Sequence, residues 1–218
     1  RFLEGIDNKF TNSEKLKVFY QSAKKGNLKN IKNKKKWITF VGKLNKAKGY
    51  DIFGEAIIKT LNKNKGWMAK VVGDEKREKI NFSHSRIQKL GFLSHQKVLS
   101  IYKKTSIAVV CSRWEEPFGR TSLEASANGC AVIISNKGGL PETVTEAIVL
   151  KKLTVNELFK TLNNLIKDQS GRKKLQYFSV KNFFLTHKYV TNLIDKYRDE
   201  KLQSINIFNT KKKITSKR

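Results

Sequence analysis

The chain has 218 residues and carries 46 Lys and Arg against 18 Asp and Glu, a formal charge of +28 at pH 7. That length supports one substantial core, and no apolar run approaches the roughly 18 residues that a membrane-spanning helix needs; with no signal-peptide pattern, a soluble, cytoplasmic chain is expected. Cys111 and Cys130 sit in or beside apolar runs without metal-ligand spacing, so they read as buried thiols and not as a disulfide or zinc site.

The first residue is arginine, and the polar, lysine-rich lead to Lys36 opens with no strand or helix signal, so the chain reads as a fragment. Trp37–Val41 is then a short β-branched and aromatic run stopped by Gly42, a buried strand. Asp51 to Leu61 places Ile52, Phe53, Ala56, Ile57, Thr60 and Leu61 at helical intervals, with Asp51 near the start where it favours the dipole. Met68–Val72 is a second strand ending at Gly73-Asp74, and Ile87–Phe92 a third. Val98, Leu99 and Tyr102 form the stripe of a helix; Ile107–Cys111 is a fourth strand, Gly119–Asn128 a helix and Ala131–Ile134 a fifth strand. Leu140–Val144 reads as one helical turn and Ile148–Leu150 as a short sixth strand. Helical periodicity resumes from Val155 to Ile166 and from Arg172 to Tyr197, and the basic residues from Leu202 onward are expected to be disordered.

The strands are continuous apolar runs, and their spacings are too long for hairpins. This predicts an α/β fold, a parallel sheet covered by helices on both faces. In such sheets ligands gather beyond the carboxyl ends of the strands, and the candidate motifs fall there: Gly42, Gly73, Gly91, Arg113 to Gly119, and Gly138-Gly139. Glu116 precedes Pro117 and Gly119, and Glu124 lies about a turn into the next helix. The first N–H groups of that helix, at Thr121 and Ser122, can hold a phosphate. Glu124 can equally form an i,i+4 pair with Arg120, and Glu116 can be a solvated turn acid. Lys43 and Lys48 flank the loop after the first strand, where cations can neutralise a phosphate leaving group or can be surface charges. Gly139 allows close backbone approach, while Glu142 can accept hydrogen bonds from a sugar or merely favour a helix dipole. His84, His95 and His187 are dispersed and read as surface or loop histidines; no metal site, Walker loop, catalytic triad or Gly-x-Gly-x-x-Gly fingerprint is present.

Together these residues resemble the retaining family-4 glycosyltransferases of the GT-B type, in their C-terminal, Rossmann-like donor-binding domain. The resemblance is carried by Glu116 to Glu124 (a Glu-x7-Glu element), Gly138 to Glu142 (Gly-Gly-x-Pro-Glu), Gly42-Lys43 through Lys48-Gly49, Gly73-Asp74-Glu75 and Leu90-Gly91-Phe92-Leu93. It implies donor contacts from Gly42, Phe118, Gly119, Thr121, Ser122, Gly139 and Glu142, with Leu93 framing the base and Glu124 on the ribose. It also implies catalytic roles for Glu116, Lys43 and Lys48, with no metal or other cofactor. Lys43 stands where the family has arginine, keeping the charge but losing the planar fork.

The implied organisation is a linker remnant and basic lead at 1–36, a donor domain at 37–182, a returning helix at 183–200 and a basic tail at 201–218. Glu4-Gly5-Ile6-Asp7 and Phe10 resemble the family's interdomain linker. The implied substrates are a UDP-, GDP- or ADP-sugar and a glycan or lipid-linked acceptor, in work such as cell-envelope polysaccharide or lipopolysaccharide synthesis. The dispersed positive charge accompanies many Asn and Ile residues and is compatible with composition bias or with peripheral contact at the anionic inner face of the cytoplasmic membrane. It lacks the aromatic-plus-basic patterning of a specific nucleic-acid site. A noncatalytic nucleotide- or anionic-surface-binding module and a GT-B sugar-nucleotide epimerase are the competing expectations.

Overall fold

The computed structural model describes residues 17–215, so the linker-like residues Glu4 to Phe10 lie outside the described residues. Six strands, β1 (Lys35–Val41), β2 (Met68–Val72), β3 (Ile87–Lys89), β4 (Thr105–Val110), β5 (Ala131–Ser135) and β6 (Ala147–Leu150), form one sheet. Its order is β3-β2-β1-β4-β5-β6, and every pairing is parallel. The central strands are buried on both faces: β4 and β5 have no exposed residue, which is why they read as unbroken apolar runs.

Among the described residues the α-helices are α1 (Tyr50–Lys63), α2 (His95–Lys104), α3 (Arg120–Ala127), α4 (Val155–Lys167), α5 (Gln169–Lys181) and α6 (His187–Thr215). One sheet face packs Ile38, Phe40, Val71, Ile107, Val109 and Ile133 against Phe53 and Ile57 of α1 and Leu158 and Leu162 of α4. The other packs Val72, Val110, Val132 and Ile134 against Val98 and Tyr102 of α2 and Ala125 of α3. Each such aliphatic side chain, fully buried, is worth about 1.5–3 kcal/mol. Helix α4 starts where the Thr154 side chain accepts from Glu157 N–H, and α5 where Asp168 accepts from Gly171 N–H. At the amino ends of the strands, α5 lays Arg172 over the Trp67 ring at 5.1 Å, and Gln176 donates to the Ser106 carbonyl at 2.9 Å. Burial depresses the Arg172 guanidinium below its ordinary value.

Three sequence expectations change. The third strand stops at Lys89, because Gly91 turns with φ +65° and its carbonyl accepts from Gly73 N–H instead. The helical stretch expected from Arg172 to Tyr197 is two helices broken at 182–186. There Phe183 and Leu185 are buried and Phe184 is exposed, a period-two alternation that places both inward residues in a small core with Leu123, Ala127 and Val190. The returning helix therefore begins at His187. It continues to Thr215 through the stretch expected to be a disordered tail, and no glycine or proline interrupts it. Cys111 and Cys130 are free and buried; burial pushes the Cys111 thiol up to about 12.

Candidate active site

The strand order reverses between β1 and β4, so the loops leaving these neighbours diverge and open a crevice. The loop after β1 is pinned to the loop after β4 chiefly through main-chain atoms. The Ala47 carbonyl accepts from Arg113 N–H at 2.8 Å, from Trp114 N–H at 3.0 Å and from the Ser112 hydroxyl at 3.0 Å. The Arg113 guanidinium grips both oxygens of Asp51 at 2.6 and 2.8 Å and donates to the Lys46 carbonyl. Burial raises the Asp51 carboxyl, but the Arg113 guanidinium and the Ile52 N–H outweigh it, leaving the carboxyl below its ordinary value.

This pinning brings Lys48 Nζ to 2.5 Å from Glu116 Oε1. The pair borders a cavity of about 210 Å³ whose walls include Gly42, Ser112, Gly119, Arg120 and Thr121. Helix α3 opens from that wall with Gly119 as an N-cap that makes no side-chain hydrogen bond. Its first intrahelical bond is Leu123 N–H to the Gly119 carbonyl, so the N–H groups at the helix start are available to an anion. The Ser122 hydroxyl is already committed, donating to the Gly119 carbonyl at 2.7 Å and lying 2.6 Å from Thr143 Oγ1; only its backbone can serve a ligand.

Other expected residues take different places. Lys43 is exposed and has no ion pair among the described residues, so it does not join Lys48 and Glu116. Leu93 is half-buried against the α2-side core, while its neighbour Phe92 is 79% exposed. Gly138 and Gly139 are small for the sake of the neighbouring loop: a Cβ on Gly138 would lie 2.2 Å from the Glu116 carbonyl oxygen, and Gly139 N–H donates to that oxygen at 2.7 Å. Glu115 secures the same loop through Lys137 and Gly138 N–H, both of which hold its carboxyl below the ordinary value. Glu142 accepts from the Tyr20 hydroxyl at 2.7 Å, and the Tyr20 ring leans on Phe118.

Glu124 is nearly buried, with Arg120 Nε at 2.7 Å and His95 Nε2 at 2.8 Å from its Oε1. The i,i+4 pair with Arg120 is legible in the sequence. His95, read from the sequence as a surface or loop histidine, instead opens α2 and meets Glu124, and neither it nor Tyr20 carries a local mark of a contact across 29 or 122 residues. Glu124, Arg120 and His95 border a second cavity, of about 710 Å³. Among the described residues no group of three His, Cys, Asp or Glu side chains is arranged to hold a metal, and no helix is long and apolar enough to cross a membrane.

An open six-stranded parallel sheet of this order, with helices on both faces, is the Rossmann-like architecture of GT-B glycosyltransferases. Residues 21–182 match the family model described as glycosyl transferases group 1, and the chain belongs to that family. It is similar to spore coat protein SA of Bacillus subtilis, 26% identical over 162 residues, covering 66% of this chain and 43% of that protein. Among solved structures, HepE of Anabaena in complex with UDP-glucose shares the fold, with a TM-score of 0.73 at 18% identity over 87% of this chain and 59% of that one. The C-terminal domain of a group 1 glycosyl transferase, LpcC, from Francisella tularensis is 26% identical with a TM-score of 0.58, covering 76% of this chain and 95% of that one. The chain spans less than half the length of the curated relatives it matches.

Proposed function

We propose that this chain is the donor-binding half of a retaining, family-4 glycosyltransferase. It moves a hexose-type sugar from a UDP-, GDP- or ADP-sugar to a glycan or lipid-linked acceptor, and residues 37–182 form the donor unit. The observation that carries this is the Lys48–Glu116 pair beside the open start of α3, an acid and a cation delivered from both sides of the switch point. The UDP-glucose complex of the structurally similar HepE supports a nucleotide-sugar donor.

In this assignment the diphosphate lies against the first N–H groups of α3, and Lys48 turns its remaining ammonium donors to it. Glu116 faces the sugar hydroxyls and Glu124 the ribose. Negative charge builds on the diphosphate as the glycosidic bond breaks, and donors fixed before the reaction stabilise that state more than the ground state. The acceptor attacks from the face the diphosphate leaves, retaining configuration, and no metal takes part. Lys43, exposed on the loop after β1, adds positive potential on approach. A lipid-linked acceptor, as in lipopolysaccharide or other envelope polysaccharide synthesis, places the whole protein peripherally at the inner face of the cytoplasmic membrane, where its positive charge favours anionic lipid.

A thermal-shift screen of UDP-, GDP- and ADP-sugars followed by calorimetry tests the assignment. One donor should bind, and Glu124→Ala should weaken it well beyond Glu55→Ala, an exposed glutamate on α1. Binding of anionic vesicles or DNA with no nucleotide-sugar binding would instead identify a noncatalytic surface-binding module.

A further inference from the structure

Glu124 meets both of its side-chain partners with one oxygen. Arg120 Nε and His95 Nε2 both lie against Oε1, at 2.7 and 2.8 Å, and Oε2 has no hydrogen-bond partner among the described residues. The side chain is only 7% exposed, and a carboxylate oxygen with no protein partner at such depth is costly unless water or a ligand meets it. It is not sealed off, however: among the described residues the buried side-chain polar atoms without partners are Tyr50 Oη and Ser126 Oγ, whereas Glu124 borders the 710 Å³ cavity. Arg120 and His95 are each more than half exposed. Ion pairs that open to solvent contribute little to folding, so their value in holding Glu124 lies elsewhere.

Resting on the donor assignment above, we propose that His95 and Arg120 are positioning residues. They hold Glu124 by Oε1 so that Oε2 receives the vicinal hydroxyls of a ribose, which makes the chain selective for ribonucleotides over their 2′-deoxy counterparts. His95 is the first residue of α2, directly after the loop that carries Leu93, the residue assigned to the base. Through His95 that loop and the ribose carboxylate share one anchor. For this bond the imidazole carries its proton on Nε2. A ribose hydroxyl that donates to Oε2 supplies the missing partner, and a deoxyribose leaves the carboxylate half-satisfied.

The test is calorimetry on the full chain with UDP, GDP and ADP and with dUDP, dGDP and dADP. The wild type should bind one ribonucleotide at least about tenfold more tightly than its deoxy form, the scale of one charge-assisted hydrogen bond. His95→Ala and Arg120→Met should each reduce that ratio severalfold with little change in Tm, and His95→Gln, which restores an N–H donor, should recover most of it. If the wild type discriminates and both variants keep the full ratio, the positioning role is overturned while the donor assignment stands. If they lose affinity equally for ribo and deoxy forms, these residues act on something other than the ribose, and the role is likewise overturned. No binding of any of the three nucleotides by the wild type overturns the donor assignment and this inference with it.

Discussion

Replacing Gly49 by alanine tests how Lys48 is delivered to Glu116. Gly49 is the left-handed residue, φ +71°, between a 3₁₀ turn at Lys46–Lys48 and helix α1. A Cβ there would stand 1.9 Å from the Cys111 carbonyl oxygen and 2.9 Å from its carbonyl carbon, so β4 and the β1 loop would have to part. An L-residue in this backbone region costs about 1–2 kcal/mol, and overpacking against a backbone that cannot rotate away adds about 1–3 kcal/mol. The sum, roughly 2–5 kcal/mol, lowers Tm by about 5–20 °C in a domain of this size. Gly66→Ala is the matched control: φ is +91° and nothing lies within 4 Å of its Cβ position, so only the conformational cost applies. Thermal denaturation by circular dichroism measures both, and calorimetry with the selected nucleotide sugar should show Gly49→Ala losing affinity as Lys48 moves. A Gly49→Ala protein no less stable than Gly66→Ala would refute the close contact between the two loops.

Lys48→Met keeps the aliphatic stem but removes the cation beside Glu116, and should weaken binding of the nucleotide diphosphate sugar about tenfold or more by calorimetry. Lys43→Met, at an exposed position without a partner among the described residues, should cost far less. Tyr20→Phe deletes the bond to Glu142 and should lower stability by about 0.5–1 kcal/mol in urea unfolding. That bond holds the Tyr20 hydroxyl above its ordinary value of 10.0, so its contribution is complete below pH 10 and fades as pH rises through the raised value. The gap between wild type and Tyr20→Phe should therefore be smaller at pH 11 than at pH 8. The Asp51 carboxyl titrates below 3.8 in the folded chain, so its contribution is present above that pH and is lost as pH falls through the lowered value. The difference in urea midpoint between wild type and Asp51→Asn should be smaller at pH 3 than at pH 6.

Much of the architecture was legible along the chain. Continuous β-branched runs such as Ile107–Val110 declare strands buried on two faces, because such runs suit neither an alternating sheet nor a solvated helix face. The 3.6-residue stripe of Ile52, Phe53, Ala56 and Ile57 declares α1 in the same local way. Glycine or proline after the first five runs marks the strand ends, which is where the candidate site fell. The Arg120–Glu124 pair was equally legible, since i,i+4 geometry follows from helical pitch alone.

The tertiary structure alone decided which of these local pieces meet. That Lys48 and not Lys43 reaches Glu116 depends on β1 and β4 being neighbours and on Ala47 being tied to the β4 loop. His95 joins Glu124, and Tyr20 joins Glu142, across separations at which chain periodicity carries no information. Gly138 is small because Glu116 lies against it, and the helix expected through 182–186 breaks because the shared core takes both Phe183 and Leu185. The sequence by itself determined most of the elements, which follow from dihedral preference and the spacing of apolar side chains over a few residues. The site's pairings were decided only when the strand order closed distances that no local pattern encodes.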